Sequence, residues 1–213
     1  MSSVAVINYG MGNLHSIEKA LQHASPEVDV QIVSDATKIK QADRIVFPGV
    51  EAIRDCMQAL DSSELTSVIE EVAISKPFLG ICLGMQALLS DSEENNRTNC
   101  LNIFSGHVRH FPIDLADNAG NRLKIPHMGW NKVNQKPHPL WEGIPQNSRF
   151  YFVHSYYAKP DNEVETIATT DYPQAFTSAL AKDNIFAVQF HPEKSQKIGL
   201  QLLKNFLSWD GKV

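Results

Sequence analysis

One of the three cysteines stands where a thiol can act as a nucleophile: Cys82, within Phe78-Leu79-Gly80-Ile81-Cys82-Leu83-Gly84-Met85-Gln86. The apolar run Phe78 to Ile81 follows Lys76-Pro77 and predicts a buried parallel strand, and Leu83 to Leu89 predicts a helix. Cys82 falls at the corner between them. Gly80 and Gly84 flank it at minus two and plus two, the spacing of a nucleophile elbow, where any side chain collides with the crowded turn. A free thiol has a pKa of about 8.5 and is mostly protonated at neutral pH, so the unpaired N–H groups of a helix start would help to make the thiolate.

A thiol nucleophile needs an imidazole, and among the eight histidines only His191 carries a carboxylate partner in its own motif, Phe190-His191-Pro192-Glu193. Pro192 holds His191 extended. With a period of two, His191 and Glu193 then point the same way, so that Glu193 holds one ring nitrogen while the other faces Cys82. This is the logic of a Cys-His-Glu triad, defined by role and not by order in the chain. His107 and His110 lack a third ligand and strand alternation separates them, so no metal is expected. The remaining requirement is a set of backbone N–H donors for an oxyanion, each worth on the order of 3 kcal/mol. Phe47-Pro48-Gly49-Val50 is placed to supply them if Gly49 adopts backbone angles closed to other residues and lets a peptide rotate.

The elements that must position these residues alternate. Val4 to Asn8 reads as a strand and is followed by a helix with Leu14, Ile17 and Leu21 on one face. Strands at Val28 to Val33 and Arg44 to Phe47 follow, then helices over 51–60 and 64–74, then the strand before Cys82. Such alternation predicts an α/β fold with a doubly wound, largely parallel central sheet, whose strands would carry Gly10, Gly49 and Cys82 at their carboxyl ends. After the polar stretch Asp91 to Asn99 the pattern turns β-rich, at His107 to Phe111, Trp130 to Val133, Arg149 to Tyr157, Glu165 to Thr169 and Ala175 to Phe190. These predict added antiparallel strands, the last broken into a hairpin at Lys182-Asp183-Asn184. Ser195 is expected to cap a final helix with the apolar stripe Ile198, Leu202, Phe206 and Trp209.

At 213 residues with 43% hydrophobic and 20% charged, the chain suits a single domain over 1–213 with a full core. Its net charge of −5, with scattered lysine and arginine, offers no basic face for nucleic acid, and no apolar run approaches a membrane span. The N-terminus runs directly into a strand with no secretory pattern, so a cytoplasmic location is expected. The odd, wide cysteine spacing argues against disulfides; Cys56 reads as a buried helix residue. Gly10-Met11-Gly12 lacks the third glycine of a dinucleotide fingerprint and the lysine of a phosphate loop, and no cofactor is expected.

Together, Gly80-Ile81-Cys82-Leu83-Gly84-Met85-Gln86, Pro48-Gly49-Val50 and Phe190-His191-Pro192-Glu193 resemble the class I glutamine amidotransferase family. Ile7 to Leu14, Pro126-His127-Met128-Gly129-Trp130-Asn131, Tyr151 to Tyr156 and His191-Pro192-Glu193-Lys194-Ser195 resemble, within it, the glutaminase subunits of imidazole glycerol phosphate synthase. The resemblance implies that Cys82 attacks glutamine, with His191 and Glu193 completing the triad, and that ammonia passes to a (βα)8-barrel cyclase subunit in a heterodimer. It implies that Gly49, Val50, Glu51, Gln86, Ser155 and Tyr156 bind glutamine, and that Asn13, Met128, Trp130, Tyr151 and Lys194 lie toward the cyclase. Three alternatives stay open: a paralogue feeding another acceptor, as in surface-sugar biosynthesis, an inert regulatory module, and a thiol hydrolase acting without a partner. One residue departs from the family pattern: Glu51 stands where a glycine usually follows Pro-Gly-Val. It either begins the next helix harmlessly or hinders completion of the oxyanion hole, which would leave the isolated subunit nearly silent.

Overall fold

The computed structural model describes residues 2–117 and 119–212. The first half runs β1 (Ser3–Ile7), α1 (Leu14–Ala24), β2 (Asp29–Val33), α2 (Ala36–Gln41), β3 (Arg44–Gly49), α3 (Ile53–Ser62), α4 (Thr66–Ala73), β4 (Phe78–Cys82) and α5 (Leu83–Ala87). The second half adds β5 (Asp91–Ser92), β6 (Thr98–Asn99), β7 (Gly106–His110), β8 (His127–Lys132), β9 (Asn134–Gln135), β10 (Arg149–His154), β11 (Tyr156–Pro160), β12 (Thr166–Asp171), β13 (Ala175–Lys182), β14 (Ile185–Val188) and α6 (Gln196–Ser208).

A twelve-stranded sheet joins both halves in the order β2-β1-β3-β4-β14-β13-β11-β7-β5-β6, with β12 and β9 branching from β13. From β2 to β14 every pairing is parallel; β13 and β11 then run antiparallel to their neighbours. The doubly wound, largely parallel sheet with added antiparallel strands is therefore as the alternation predicts. The reason is visible in β1: Val4 and Val6 pack with Ile17 and Leu21 of α1 and Leu202 and Phe206 of α6. Ala5 and Ile7 pack on the opposite face with Ile39, Ile53, Leu60 and Ile69 from α2, α3 and α4. A strand covered on both faces must be apolar throughout, which is why these strands read as continuous runs.

Local departures have local causes. The segment read as one strand over Arg149 to Tyr157 is broken at Ser155: β10 leaves to pair with β8 in a separate two-stranded ribbon, and β11 joins the main sheet. The polar stretch 91–99 contributes the short β5 and β6, and α2 goes beyond the predicted elements. The helix after Cys82 spans only five residues, Leu83–Ala87. The hairpin turn after Lys182 is present, with Lys182 paired to Ile185. Ser195 does stand at the start of α6, but its side chain makes no capping bond.

Candidate active site

Cys82 ends β4 with φ 54° and ψ −108°, a backbone conformation that L-residues avoid. The helix start packs so closely on the neighbouring strand β3 that a Cβ on Gly84 would lie 1.9 Å from the carbonyl oxygen of Phe47, so only glycine fits; the collision is with that strand and not within the turn. Strain of this kind, on the order of 1–3 kcal/mol, persists only where the surroundings impose it, and here it holds the sulfur at the carboxyl edge of the sheet. Cys82 is 6% exposed and lines a cleft of about 400 Å³.

His191 reaches this sulfur from the end of the neighbouring strand, since β14 pairs with β4 and Val188 aligns with Ile81. Its Nδ1 lies 2.8 Å from Glu193 Oε1, and both side chains are 1% exposed. His191 is extended, as Pro192 requires, but Glu193 sits in a 3-10 turn over Pro192–Lys194. The shared direction of the two side chains therefore comes from that turn and not from strand alternation. Nε2 of His191 is buried without a hydrogen-bond partner. Burial opposes a charge on the ring, yet the Cys82 sulfur and the Glu193 carboxylate beside it outweigh burial and push its pKa up to about 10. The imidazolium is thus the favoured form at neutral pH, and it, more than the five-residue helix, supplies the positive charge next to the sulfur. By contrast, burial pushes the Cys56 and Cys100 thiols up to about 12, which leaves both unreactive.

Gly49 pairs directly with Cys82 across β3 and β4. It does not use a positive φ; it is needed because a Cβ there would meet the Tyr9 hydroxyl at 2.7 Å and Leu83 Cβ at 2.8 Å. The Tyr9 hydroxyl donates to Pro48 O at 2.8 Å, which fixes the peptide before Gly49. Beyond it, Val50, Glu51 and Ala52 line the cleft. Glu51 is exposed and precedes α3, which begins at Ile53; the helix start is closed instead by Glu94, whose Oε2 accepts from Ile53 N at 3.1 Å.

Gln86, Ser155 and Tyr156 also line the cleft, with Leu83, Glu94, Pro126, Val153 and His154. The Gln86 amide is already committed, donating to Tyr156 O at 3.0 Å and Gln189 Oε1 at 2.9 Å. Gln189, fully buried, in turn directs its Nε2 at Cys82 Sγ, 3.7 Å away. Sequence reasoning passed over Gln189 and Glu94; an amide inside the apolar run Phe186 to Phe190 was the available signal for the first, and the second was hidden in a polar loop. His154 gives its Nδ1–H to Tyr156 O at 2.7 Å, so its Nε2 accepts from His127 Nδ1 at 2.9 Å. Burial pushes His127 down to about 4 and His154, which lines the cleft, to about 3, so this pair is neutral while His191 is charged.

The five residues expected to face a partner divide into a ribbon face and a flank. Trp130 pairs with Tyr151 and Met128 with Val153 across β8 and β10. Met128 is 62% and Trp130 41% exposed, and Lys194 Nζ lies 5.9 Å above the Tyr151 ring. Asn13 is exposed just before α1, which packs against the Pro192–Lys194 turn. His107 pairs with Asp91 whereas His110 bonds Phe111 O, so these two histidines have separate environments. No cluster of three or more His, Cys, Asp or Glu side chains suited to a metal is found among the described residues.

Comparison with known proteins agrees with this geometry. Residues 5–209 match the model of the glutamine amidotransferase class-I family. The chain is 59% identical, over 99% of its length and 98% of the relative's, to imidazole glycerol phosphate synthase subunit HisH of Methylococcus capsulatus. It is 57% identical to the subunit of the same name from Nitrosococcus oceani, covering 99% of each chain. A solved glutamine amidotransferase structure superposes with a TM-score of 0.72 at 15% identity, over 96% of both chains, which supports the fold. A strained cysteine elbow facing a carboxylate-held histidine across adjacent parallel strands, with a family match spanning nearly every residue, leads to one assignment: the chain belongs to the class I glutamine amidotransferase family.

Proposed function

We propose that this chain is the glutamine-hydrolysing subunit of an imidazole glycerol phosphate synthase, acting as one domain and delivering ammonia to a cyclase subunit in a heterodimer. The observation that carries the chemistry is the position of Cys82, strained at the strand end beside an imidazole whose far nitrogen is held by a buried carboxylate. The Cys82 thiolate attacks the carboxamide carbon of glutamine, and the C=O electrons move onto oxygen. The Val50 N–H and its neighbours, beyond the fixed Pro48 carbonyl, stabilise that oxyanion. His191 gives its proton to the amide nitrogen, ammonia leaves, and a thioester remains. Neutral His191 then takes a proton from water as it attacks the thioester, and glutamate departs with the thiolate and the imidazolium both restored.

Substrate recognition follows from the cleft. Glu51 and Glu94 are its carboxylates, suited to the α-amino group of glutamine, and Glu94 is already fixed by its bond to Ile53 N. Gln86 acts through its hydrogen bonds to Tyr156 and Gln189, which hold the wall and the amide near the sulfur. The names of the relatives support the synthase as the recipient, and the exposed Met128, Trp130 and Lys194, around the half-buried Tyr151, support a docking surface for the cyclase. No helix among the described residues is long and apolar enough to cross a membrane. A working free thiol fits a reducing compartment such as the cytoplasm.

The test is glutamate release from glutamine by wild type and Cys82→Ala, each with the candidate cyclase. Release by the wild type alone among the two is expected, and release that survives Cys82→Ala would refute the mechanism. An acceptor other than the cyclase would show as glutaminase activity indifferent to that subunit.

A further inference from the structure

We propose that Ser195 is a positioning residue for the His191 imidazole, fastening it to the strand that carries Tyr151; this deepens the glutaminase reading and rests on it. Ser195 is 1% exposed and occupies the start of α6, where a serine ordinarily bonds a free N–H of the helix. It does not do so. Its hydroxyl donates to His191 O at 2.6 Å and accepts from Tyr151 N at 3.0 Å. His191 N donates in turn to Tyr151 O at 2.9 Å. Both main-chain polar groups of Tyr151 are therefore bound to the segment carrying His191, and the main chain of His191 is held on both sides.

The backbone is bent to keep this arrangement. Gln196, directly after Ser195, has φ 52°, an unfavourable conformation for a residue with a side chain. The first turn of α6 is pressed against the turn that carries Glu193, since a Cβ on Gly199 would lie 1.9 Å from Pro192 O and 2.8 Å from Ser195 Cβ. Close packing of α6 on Pro192 and Ser195 thus brackets Glu193 in sequence. On the other side of the bridge the Tyr151 ring meets Trp130 at 6.1 Å between centroids, at the exposed face of the β8–β10 ribbon. That face is thus joined to the His191 segment directly, by the two main-chain hydrogen bonds of Tyr151.

The experiment compares wild type, Ser195→Ala and Asn205→Ala, each with saturating cyclase, for kcat, KM, thermal midpoint and the alkaline limit of kcat/KM. Asn205 lies on the same helix, outside the cleft lining, and its replacement loses three side-chain hydrogen bonds, those it donates to Leu140 O and Glu142 O and the one it accepts from Gln201 Nε2. Ser195→Ala is expected to lower kcat about tenfold or more, with KM within about twofold and the alkaline limit displaced; Asn205→Ala is expected to lower the thermal midpoint without changing kcat. A Ser195→Ala kcat equal to that of Asn205→Ala overturns the proposal. If the alanine variant does not fold, Ser195→Cys keeps a small side chain with a weaker donor: an intermediate kcat supports the bridge and an unchanged kcat removes it. A wild type that releases no glutamate would defeat the glutaminase reading itself, an outcome distinct from an active wild type matched by Ser195→Ala.

Discussion

Replacing Glu193 with glutamine tests the electrostatic core of the site, because it removes a charge while keeping shape. The carboxylate lies 2.8 Å from His191 Nδ1, and both side chains are 1% exposed, so solvent screens the pair little. A charge-assisted hydrogen bond in such surroundings is worth about 1.5–3 kcal/mol. At 1.36 kcal/mol per pKa unit, its loss lowers the proton affinity of His191 by about 1–2 units. The His191 pKa is raised, to about 10, by Cys82 and Glu193 acting against burial. Its stabilising contribution is therefore complete below the unfolded value of about 6.5 and is lost as the pH rises through about 10. Two results are expected for Glu193→Gln: the alkaline limb of glutaminase activity moves down by about 1–2 pH units, and the stability deficit against wild type shrinks as the pH rises toward 10. The assays are kcat/KM against pH with cyclase present, alkylation of Cys82 by a glutamine-like electrophile against pH, and thermal midpoints across the same range. Superimposable alkaline limbs would refute the account of how the imidazolium is held.

Gly84→Ala places a methyl 1.9 Å from Phe47 O in the crowded elbow, so it is expected to cost at least the 1–3 kcal/mol of overpacking and to abolish glutamate release; urea unfolding and the standard assay check both. Glu51→Gly removes a charged, exposed side chain from the cleft rim ahead of α3, and glutaminase activity without cyclase is expected to rise; an unchanged basal rate would show that Glu51 does not restrain the oxyanion segment. Gln189→Leu takes away both the amide facing Cys82 Sγ and the acceptor of Gln86 Nε2. It is expected to lose about 1–3 kcal/mol of stability, read as a fall in thermal midpoint, together with a lower kcat.

Much of this protein is written in short stretches of sequence. The alternation of apolar runs with amphipathic helices follows directly from burying strands on both faces, so β1, β3, β4 and their helices were legible. Gly80-Ile81-Cys82-Leu83-Gly84 and His191-Pro192-Glu193 were legible because each is a contiguous motif, a glycine-flanked cysteine and a histidine held extended by proline, although the clash that demands Gly84 comes from Phe47 on a neighbouring strand. What the sequence misjudged depends on distant contacts. Gly49 looked like a residue needing unusual angles, whereas it is dictated by the Tyr9 hydroxyl and Leu83. Arg149 to Tyr157 looked like one strand, because nothing in its composition marks Ser155 as the corner where the chain changes sheets. Ser195 had the residue type and place of a helix cap, but its hydroxyl bonds His191 O and Tyr151 N instead.

The chain by itself therefore marked which groups could react, since the cysteine between two glycines and the histidine before Pro-Glu are each contiguous patterns. Only the tertiary structure decided how those groups are charged and held. The imidazolium depends on Cys82 and Glu193 outweighing the burial that opposes it, and the surroundings of the sulfur depend on Glu94, Gln189 and the His127–His154 pair, brought in from separate strands and loops. Desolvation and hydrogen bonding between residues a hundred positions apart exist only once the sheet has closed around them.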